Sequence, residues 1–188
     1  MCGMVGYVGA QARSALEVVL AGLGRLERPA HDSSGVAVLA DGGLAAARTA
    51  GGLSTLRGVL ERRPLPTGAS AIGHLRRATH GPPTEGNAHP QLDNAGRVAV
   101  VHDGRIGNHR ELRAQLVARG RPLASETDTE VVAHLLAEAF SSCVDLAEAM
   151  RQVCRSLEGS FALLAVHADE PDTVVGVGRG MPLVVGLG

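Results

Sequence analysis

The sequence predicts an α+β layered fold. Strand-like stretches are grouped with one another and with a hairpin signal at Asp41-Gly42-Gly43, and the helical stretches are grouped as well. Strict alternation of strands and helices, typical of a parallel α/β sheet, is missing. At 188 residues, 45% hydrophobic and 20% charged, the chain is one domain or slightly more, with a sizeable core.

The first part of the chain predicts a strand, a helix, a hairpin, a second helix and a further strand. Leu16, Val19, Leu20 and Leu23 recur at helical spacing, which is typical of an amphipathic helix. The predicted elements are strands at 4–8, 35–40, 44–49 and 69–75, and helices at 14–27 and 53–62.

The second part begins with a long polar stretch, residues 76–94, which we do not expect to pack as a core element. Asn108 with Glu111, and Thr127 with Glu130, match the spacing of helix capping boxes. The predicted elements are a strand at 97–102, helices beginning near 108 and 127, a helix at 145–157, and strands at 161–166, 173–177 and 183–187.

Composition excludes several classes of protein. The net charge of −1 gives no basic surface for nucleic acid. No apolar run reaches the roughly 18–20 residues of a membrane span. The N-terminus lacks a basic region followed by a long apolar one, so we expect no secretory signal. The three cysteines, an odd and sparse set, indicate a reducing, cytoplasmic setting without a disulfide framework.

Cys2 directly follows the initiator methionine. If Met1 is removed, Cys2 gains a free α-amine, and such amines have a pKa of about 7.7–8.0 in model peptides. The amine can then act as a base beside its own thiol, as in N-terminal nucleophiles. From this stretch alone, an incidental cysteine on a loose tail is an equally good interpretation.

If Cys2 is a nucleophile, other residues at predicted strand ends can complete an acyl-transfer site. Gly104, in the run His102-Asp103-Gly104, can offer a backbone N–H to an oxyanion. Arg76 can bind a carboxylate bidentately, although a surface salt bridge is the commoner use of arginine. Asp128 can pair with an ammonium group or equally cap a helix. Beyond Arg76 lie Thr79, His80 and Gly81.

The histidines at 80, 89, 102 and 109 raise the question of a metal, but their spacing matches no zinc motif. The glycines of 176–180 do not form a phosphate loop that opens a helix. We therefore expect neither a metal nor a cofactor.

Six motifs then occur in the order found in one family. They are Cys2-Gly3-Met4-Val5-Gly6-Tyr7, Asp32-Ser33-Ser34-Gly35, His74-Leu75-Arg76-Arg77-Ala78-Thr79-His80-Gly81, Asn87-Ala88-His89-Pro90, His102-Asp103-Gly104 and Ser125-Glu126-Thr127-Asp128-Thr129-Glu130. Together they resemble the glutaminase domain of the glutamine–fructose-6-phosphate aminotransferases, class II glutamine amidotransferases of the N-terminal nucleophile hydrolase fold. The resemblance covers residues 1–188.

The resemblance implies a four-layer α-β-β-α sandwich and a glutaminase. Cys2 would attack the glutamine amide with its α-amine as base, forming a thioester and releasing ammonia and then glutamate. Arg76 would hold the α-carboxylate and Asp128 the ammonium. The loop with Thr79, His80 and Gly81 would close over L-glutamine, and Gly104 would supply an oxyanion N–H.

In the family, ammonia passes to a sugar-isomerase domain that acts on fructose 6-phosphate. That domain is absent from this sequence, so it would act in cis in a longer protein or in trans, and a homodimer would form through it. The resemblance also implies that residues 1–188 stop before the glutaminase domain does, leaving 183–187 as an exposed edge strand.

Four positions depart from the family pattern. Asp103 replaces the oxyanion-hole asparagine, so an acceptor stands where a donor is expected. Pro29 replaces an arginine near the nucleophile, with Arg28 one residue away. Arg77 replaces a loop tryptophan and Leu75 a threonine.

We therefore expect an impaired glutaminase. The alternatives are a non-catalytic relative that binds glutamine or only keeps the fold, and an amidotransferase serving purine or asparagine synthesis.

Overall fold

A computed structural model of the chain describes residues 2–9, 14–40 and 42–187. Within these residues the order is β1 (Gly3–Val8), α1 (Ala15–Leu26), β2 (Ser33–Ala40), β3 (Gly43–Ala50), α2 (Leu53–Arg62), β4 (Ser70–Arg76), β5 (Gln91–Leu92), β6 (Val98–Ile106), α3 (His109–Ala118), α4 (Asp128–Phe140), α5 (Leu146–Ser156), β7 (Gly159–His167) and β8 (Val175–Arg179). Asp41 of the predicted turn, like Met1, lies outside the described residues.

The strands form two antiparallel sheets of four. The order in one is β1-β4-β2-β3 and in the other β5-β6-β7-β8. Gly3 pairs with Leu75, so the start of β1 lies beside the end of β4. Three strand pairs, β2 with β3, β5 with β6 and β7 with β8, follow one another directly in the chain, which explains why the sequence shows hairpins and not β-α alternation.

Three separate apolar clusters show four layers. One joins α1 and α2 to the outer face of the first sheet, and another joins α3, α4 and α5 to the outer face of the second. The third lies between the sheets and contains Ala37, Leu39, Ile72, Ala99, Val101, Leu164 and Val166. This arrangement confirms the predicted α+β class and the α-β-β-α sandwich. No helix in the described ranges is both long and apolar enough to span a bilayer.

Two strand predictions were wrong. Strand β6 does not end at His102 but continues to Ile106, because Asp103 and Gly104 pair with Ala162 and Phe161 of β7. The expected edge strand at 183–187 does not form: this segment has no regular structure and is largely exposed. Apolar, β-prone residues do not make a strand without a partner to complete the hydrogen-bond ladder.

Two loop predictions also need correction. Asn108 caps no helix with its side chain; instead it donates to Ser156 O and accepts from the N–H of Glu158. In the polar stretch 76–94, residues 87–91 are buried, and Gln91 and Leu92 form β5. Asn87 explains this burial, because its side chain donates to Pro82 O and Glu126 Oε2 and accepts from Glu126 N.

Candidate active site

Cys2 lies at the edge of the first sheet, immediately before β1. Its Sγ accepts a hydrogen bond from the N–H of Arg77 at 3.4 Å. Burial raises the pKa of the Cys2 thiol to about 11; the Asp103 carboxylate adds to the shift, whereas the Arg77 N–H opposes it. At neutral pH the thiol therefore keeps its proton, and a reaction at this sulfur needs a base.

A cleft with a volume of about 20 Å³ opens beside this thiol. Its lining comes from the ends of both sheets and the start of α4: Cys2, Arg76, Arg77, Thr79, His89, His102, Asp103, Gly104 and Asp128. The structure thus brings together six of the eight residues that the sequence nominated. The other two, His80 and Gly81, lie on the adjacent loop. The volume is enough for about one water molecule.

Arg76, the last residue of β4, is 3% exposed. Its Nη2 donates to the carbonyl oxygens of His80 and Gly81, while Nη1 has no hydrogen-bond partner among the described residues. Burial lowers its pKa, and attraction from Asp32, Cys2 and Asp128 opposes the shift. The guanidinium forms no salt bridge within the described ranges, which leaves donor capacity for a carboxylate.

Asp128, the first residue of α4, is equally buried. Its Oδ2 accepts from the N–H of Ile106 at 3.0 Å, and its Oδ1 lies 3.6 Å from His102 Nδ1. Burial alone would raise the pKa of Asp128, but His102, the Ile106 N–H and His80 outweigh it and lower the pKa to about 2. The carboxylate is therefore ionised at neutral pH, and it contacts β6 and not the N–H groups of its own helix.

Asp103 and Gly104 lie on neighbouring positions of β6. Gly104 has φ +114°, and a Cβ there would be 2.3 Å from Ser160 O, so the strand needs glycine at this position. Asp103 is half-buried at the cleft, on the Cys2 side. A carboxylate thus stands next to the thiol where the family pattern has an amide.

The loop 27–32 places no arginine in the cleft. Arg28 and Pro29 are exposed, and neither lines it. His31 Nδ1 accepts from the Arg28 N–H at 3.0 Å, and Asp32 Oδ2 accepts from the Ala78 N–H at 2.7 Å. This loop therefore supports the segment after β4 through Asp32, while Arg28 stays outside the cleft.

Sequence reasoning missed three contributors to the cleft. His89 and His102 were weighed only as metal ligands, and the backbone N–H of Arg77 was not considered at all. His89 follows a run of polar residues, so no local pattern signals its burial. The N–H of Arg77 reaches Cys2 only because β1 and β4 pair, which is a long-range feature.

Glu130 fixes the segment that leads into α4, and we expect its removal to destabilise the fold. Its carboxylate accepts from the N–H groups of Ala124 (2.7 Å) and Ser125 (2.6 Å). Burial would raise its pKa, but His134 and these N–H groups lower it to about 2. Because the folded-state pKa lies below the ordinary 4.5, the stabilisation is complete above that pH and is lost as the pH falls towards 2.

The variant Glu130→Gln should lower the free energy of unfolding by about 2 kcal/mol at pH 7. The difference from the parent should shrink below about pH 4.5, as measured by urea denaturation. Glu138→Gln is the matched control, because Glu138 forms only surface pairs with Arg119 and Arg121. Equal losses in the two variants at pH 7 would contradict the assignment.

Comparison with known proteins identifies the family. The family model described as "Glutamine amidotransferase domain" matches residues 74–182. The chain is 66% identical over 188 residues to the glutamine–fructose-6-phosphate aminotransferase (isomerizing) of Streptomyces coelicolor, and 51% identical over 189 residues to that of Leifsonia xyli. Each alignment covers all of this chain and 30% of the relative, so the chain spans about a third of these relatives' length.

Solved structures agree with this result. The glutamine phosphoribosylpyrophosphate amidotransferase from B. subtilis, complexed with ADP and GMP, matches with a TM-score of 0.71 and 27% identity over 89% of this chain and 35% of that one. A structure described as the allosteric regulatory enzyme of purine biosynthesis matches with a TM-score of 0.73 and 28% identity, over 89% and 36%. These comparisons confirm the resemblance seen in the motifs, and since the family model covers more than half of the chain, the chain belongs to the glutamine amidotransferase domain family.

Proposed function

We propose that this chain hydrolyses the side-chain amide of L-glutamine to glutamate and ammonia, as the glutaminase half of a glutamine–fructose-6-phosphate aminotransferase. One observation carries the proposal. Arg76 and Asp128, buried and oppositely charged, line the same cleft as the Cys2 thiol without pairing with each other. Buried opposite charges normally pair, and a zwitterionic amino acid would satisfy both.

In this proposal the two charges orient the substrate. The α-carboxylate accepts from Arg76, whose Nη1 lacks a partner in the described structure, and the α-ammonium donates to Asp128. The side-chain amide then extends towards Cys2, which shares the cleft. Such positioning makes attack by the thiol effectively intramolecular.

The chemical step follows from the state of the thiol. The Cys2 Sγ attacks the amide carbon, and its proton passes to a base, for which we propose the α-amine of Cys2 after removal of Met1. The tetrahedral oxyanion is held by the Gly104 N–H, and ammonia leaves with the transferred proton. Water then hydrolyses the γ-glutamyl thioester to glutamate. Asp103 opposes this sequence, because an ionised carboxylate repels the oxyanion.

The loop after β4 must move to admit glutamine. The present cleft holds about one water, and the loop carries Thr79, His80 and Gly81. Arg76 donates to the carbonyls of His80 and Gly81, and His80 Nδ1 lies 3.8 Å from Asp128 Oδ2. The same two charged groups can therefore hold the loop closed over the substrate. Arg77, in place of the family's tryptophan, would affect this closure and ammonia gating.

The fate of the ammonia is part of the proposal. The relatives named glutamine–fructose-6-phosphate aminotransferase are more than three times as long as this chain, which supports a sugar-isomerase domain as partner, in cis or in trans. A homodimer would form through that domain. The three free cysteines support a cytoplasmic location.

The decisive experiment is a glutaminase assay. The chain is incubated with glutamine or with asparagine, and glutamate, aspartate and ammonia are measured. We expect saturable glutamate release that asparagine does not reproduce. Saturable glutamine binding without turnover would instead favour the alternative, a non-catalytic glutamine-binding relative, and Asp103 and the exposed Pro29 are the observations in its favour.

Substitutions of the two charged residues should act on substrate affinity. We expect Arg76→Lys and Asp128→Asn each to raise the KM for glutamine about 10–100-fold, with a smaller effect on kcat, because hydrogen bonds to charged groups contribute about 1.5–3 kcal/mol. Initial rates over a range of glutamine concentrations give both constants. Arg97→Lys, in a surface pair with Asp169, is the matched control. A KM within twofold of the parent in both cleft variants would show that these residues do not hold glutamine.

A further inference from the structure

Two buried histidines meet at the base of the cleft without a role in the proposed mechanism. His74 is on β4 and His89 is in the segment that leads to β5; both are buried. Their Nδ1 atoms lie 2.9 Å apart, and their ring centroids are 4.7 Å apart. The Nε2 atoms of both rings have no partner in the described structure. The contact between the two Nδ1 atoms is therefore the polar link that joins these rings.

The first sheet makes this contact possible. Gly35 of β2 is opposite His74 in the register of β2 and β4. A Cβ at position 35 would be 2.3 Å from the carbonyl oxygen of His89, so the glycine lets the backbone of the loop rest directly on β2. On the far side, Arg48 donates to Pro90 O at 3.3 Å. These contacts bring the His89 ring to His74.

The geometry sets the protonation state of the pair. A hydrogen bond between two Nδ1 atoms needs one N–H and one lone pair, so the accepting ring is neutral and carries its proton on Nε2. The donating ring has its proton on Nδ1, and burial keeps it neutral as well. The titratable groups that act on the pair are all cationic in their protonated form: His31, Arg48, Arg76 and His102. Burial, first, and then these groups lower the pKa of both histidines well below the usual value.

The pair is connected to the cleft at both ends. His89 lines the cleft together with Cys2, and His74 precedes Arg76 by two positions, on the same face of β4. The loop between Arg76 and His89 carries the residues that close over the substrate. Its two ends are thus joined by one buried hydrogen bond.

We infer that His74 and His89 are positioning residues for glutamine hydrolysis: a neutral, hydrogen-bonded pair that ties the closing loop to β4 and keeps the cleft in shape. This inference rests on the proposed glutaminase function. Protonation of either ring adds a cation beside Arg76, and protonation of the accepting ring also removes its lone pair and breaks the hydrogen bond. Glutamine affinity should therefore fall at acid pH.

Two substitutions of His74 separate positioning from simple burial. The amide of asparagine can occupy the place of the His74 Nδ1 atom. The amide of glutamine instead reaches the place of Nε2, which has no hydrogen-bond partner in the described structure. We expect His74→Gln to raise the KM for glutamine about tenfold with less effect on kcat. His74→Asn should restore the KM to within about twofold of the parent and reduce its rise at acid pH. Equal KM values and equal pH profiles for the two variants would overturn the inference.

A second measurement is independent of activity. Because the folded-state pKa of each histidine is lowered, the unfolded chain takes up protons below about pH 6.5 that the folded chain does not, and stability is lost as the pH falls. The pH dependence of the unfolding free energy, measured by urea denaturation between about pH 6.5 and 5, gives the number of protons taken up on unfolding. This number should be lower by up to one for His74→Asn than for the parent. Equal proton uptake would show that His74 is not held neutral, whether or not the chain hydrolyses glutamine.

Discussion

Replacement of Cys2 by alanine is expected to abolish glutamate release, by a factor on the order of 10⁴ or more. In the proposed reaction the Cys2 sulfur forms the bond to the substrate, and the other cleft residues only orient glutamine or stabilise charge. Alanine keeps the small, half-buried position immediately before β1, so folding should not change. The measurement is glutamate release at saturating glutamine, beside a denaturation curve for each protein.

Cys143→Ala is the matched control for this substitution. Cys143 is also a free, partly buried thiol, but its Sγ donates to Gln152 Oε1 and lies outside the cleft. It should keep the parent rate. If Cys2→Ala and the parent released glutamate equally fast, Cys2 would not be the nucleophile and the enzyme interpretation would be wrong.

The α-amine gives this prediction a second part. Its role as base requires removal of Met1, which intact-mass measurement detects directly. A fraction that retains Met1 should be inactive, because the Cys2 nitrogen is then part of the Met1–Cys2 peptide bond and is no longer basic. Full activity in a preparation that retains Met1 would assign the base to another group.

The regular elements of this fold could be predicted because their signals are local. Helix α2 was predicted with its observed bounds, and α1, β3 and β4 to within one residue at each end. The errors arose where distant pairing decides the structure. Asp103-Gly104 has the composition of a turn, yet pairing with β7 keeps it in β6. Residues 183–187 have the composition of a strand but find no partner in the described chain.

The candidate site shows the same division. The residues that line the cleft could be nominated because the chain carries them in short motifs at strand ends and at the start of a helix. The contacts of these residues could not be predicted, because they depend on which strands are neighbours in the sheets. The Asp128 carboxylate accepts from Ile106, 22 positions earlier, and the His89 carbonyl rests against β2 because Gly35 leaves room for it. Neither fact has a local signal in the sequence.

Asp103→Asn is expected to raise the glutaminase rate, by about 10–100-fold, which is the second large effect. The amide restores a donor towards the oxyanion, and removal of one such donor typically costs about 10²–10³ in rate. It also removes a negative charge next to Cys2, one of the groups that raise the pKa of the thiol to about 11. Both effects favour attack on the amide, and both should appear in kcat rather than in KM.

Asp103→Ala separates these two contributions. It removes the charge without adding a donor, so its rate should lie between those of the parent and Asp103→Asn. If charge alone limits the reaction, alanine and asparagine will give equal gains; if the missing donor alone limits it, alanine will give none. A rate for Asp103→Asn equal to or below that of the parent would refute the oxyanion argument. The carboxylate would then be tolerated next to Cys2, and the cause of any impairment would have to lie elsewhere, with the loop at Pro29 as the next position to test.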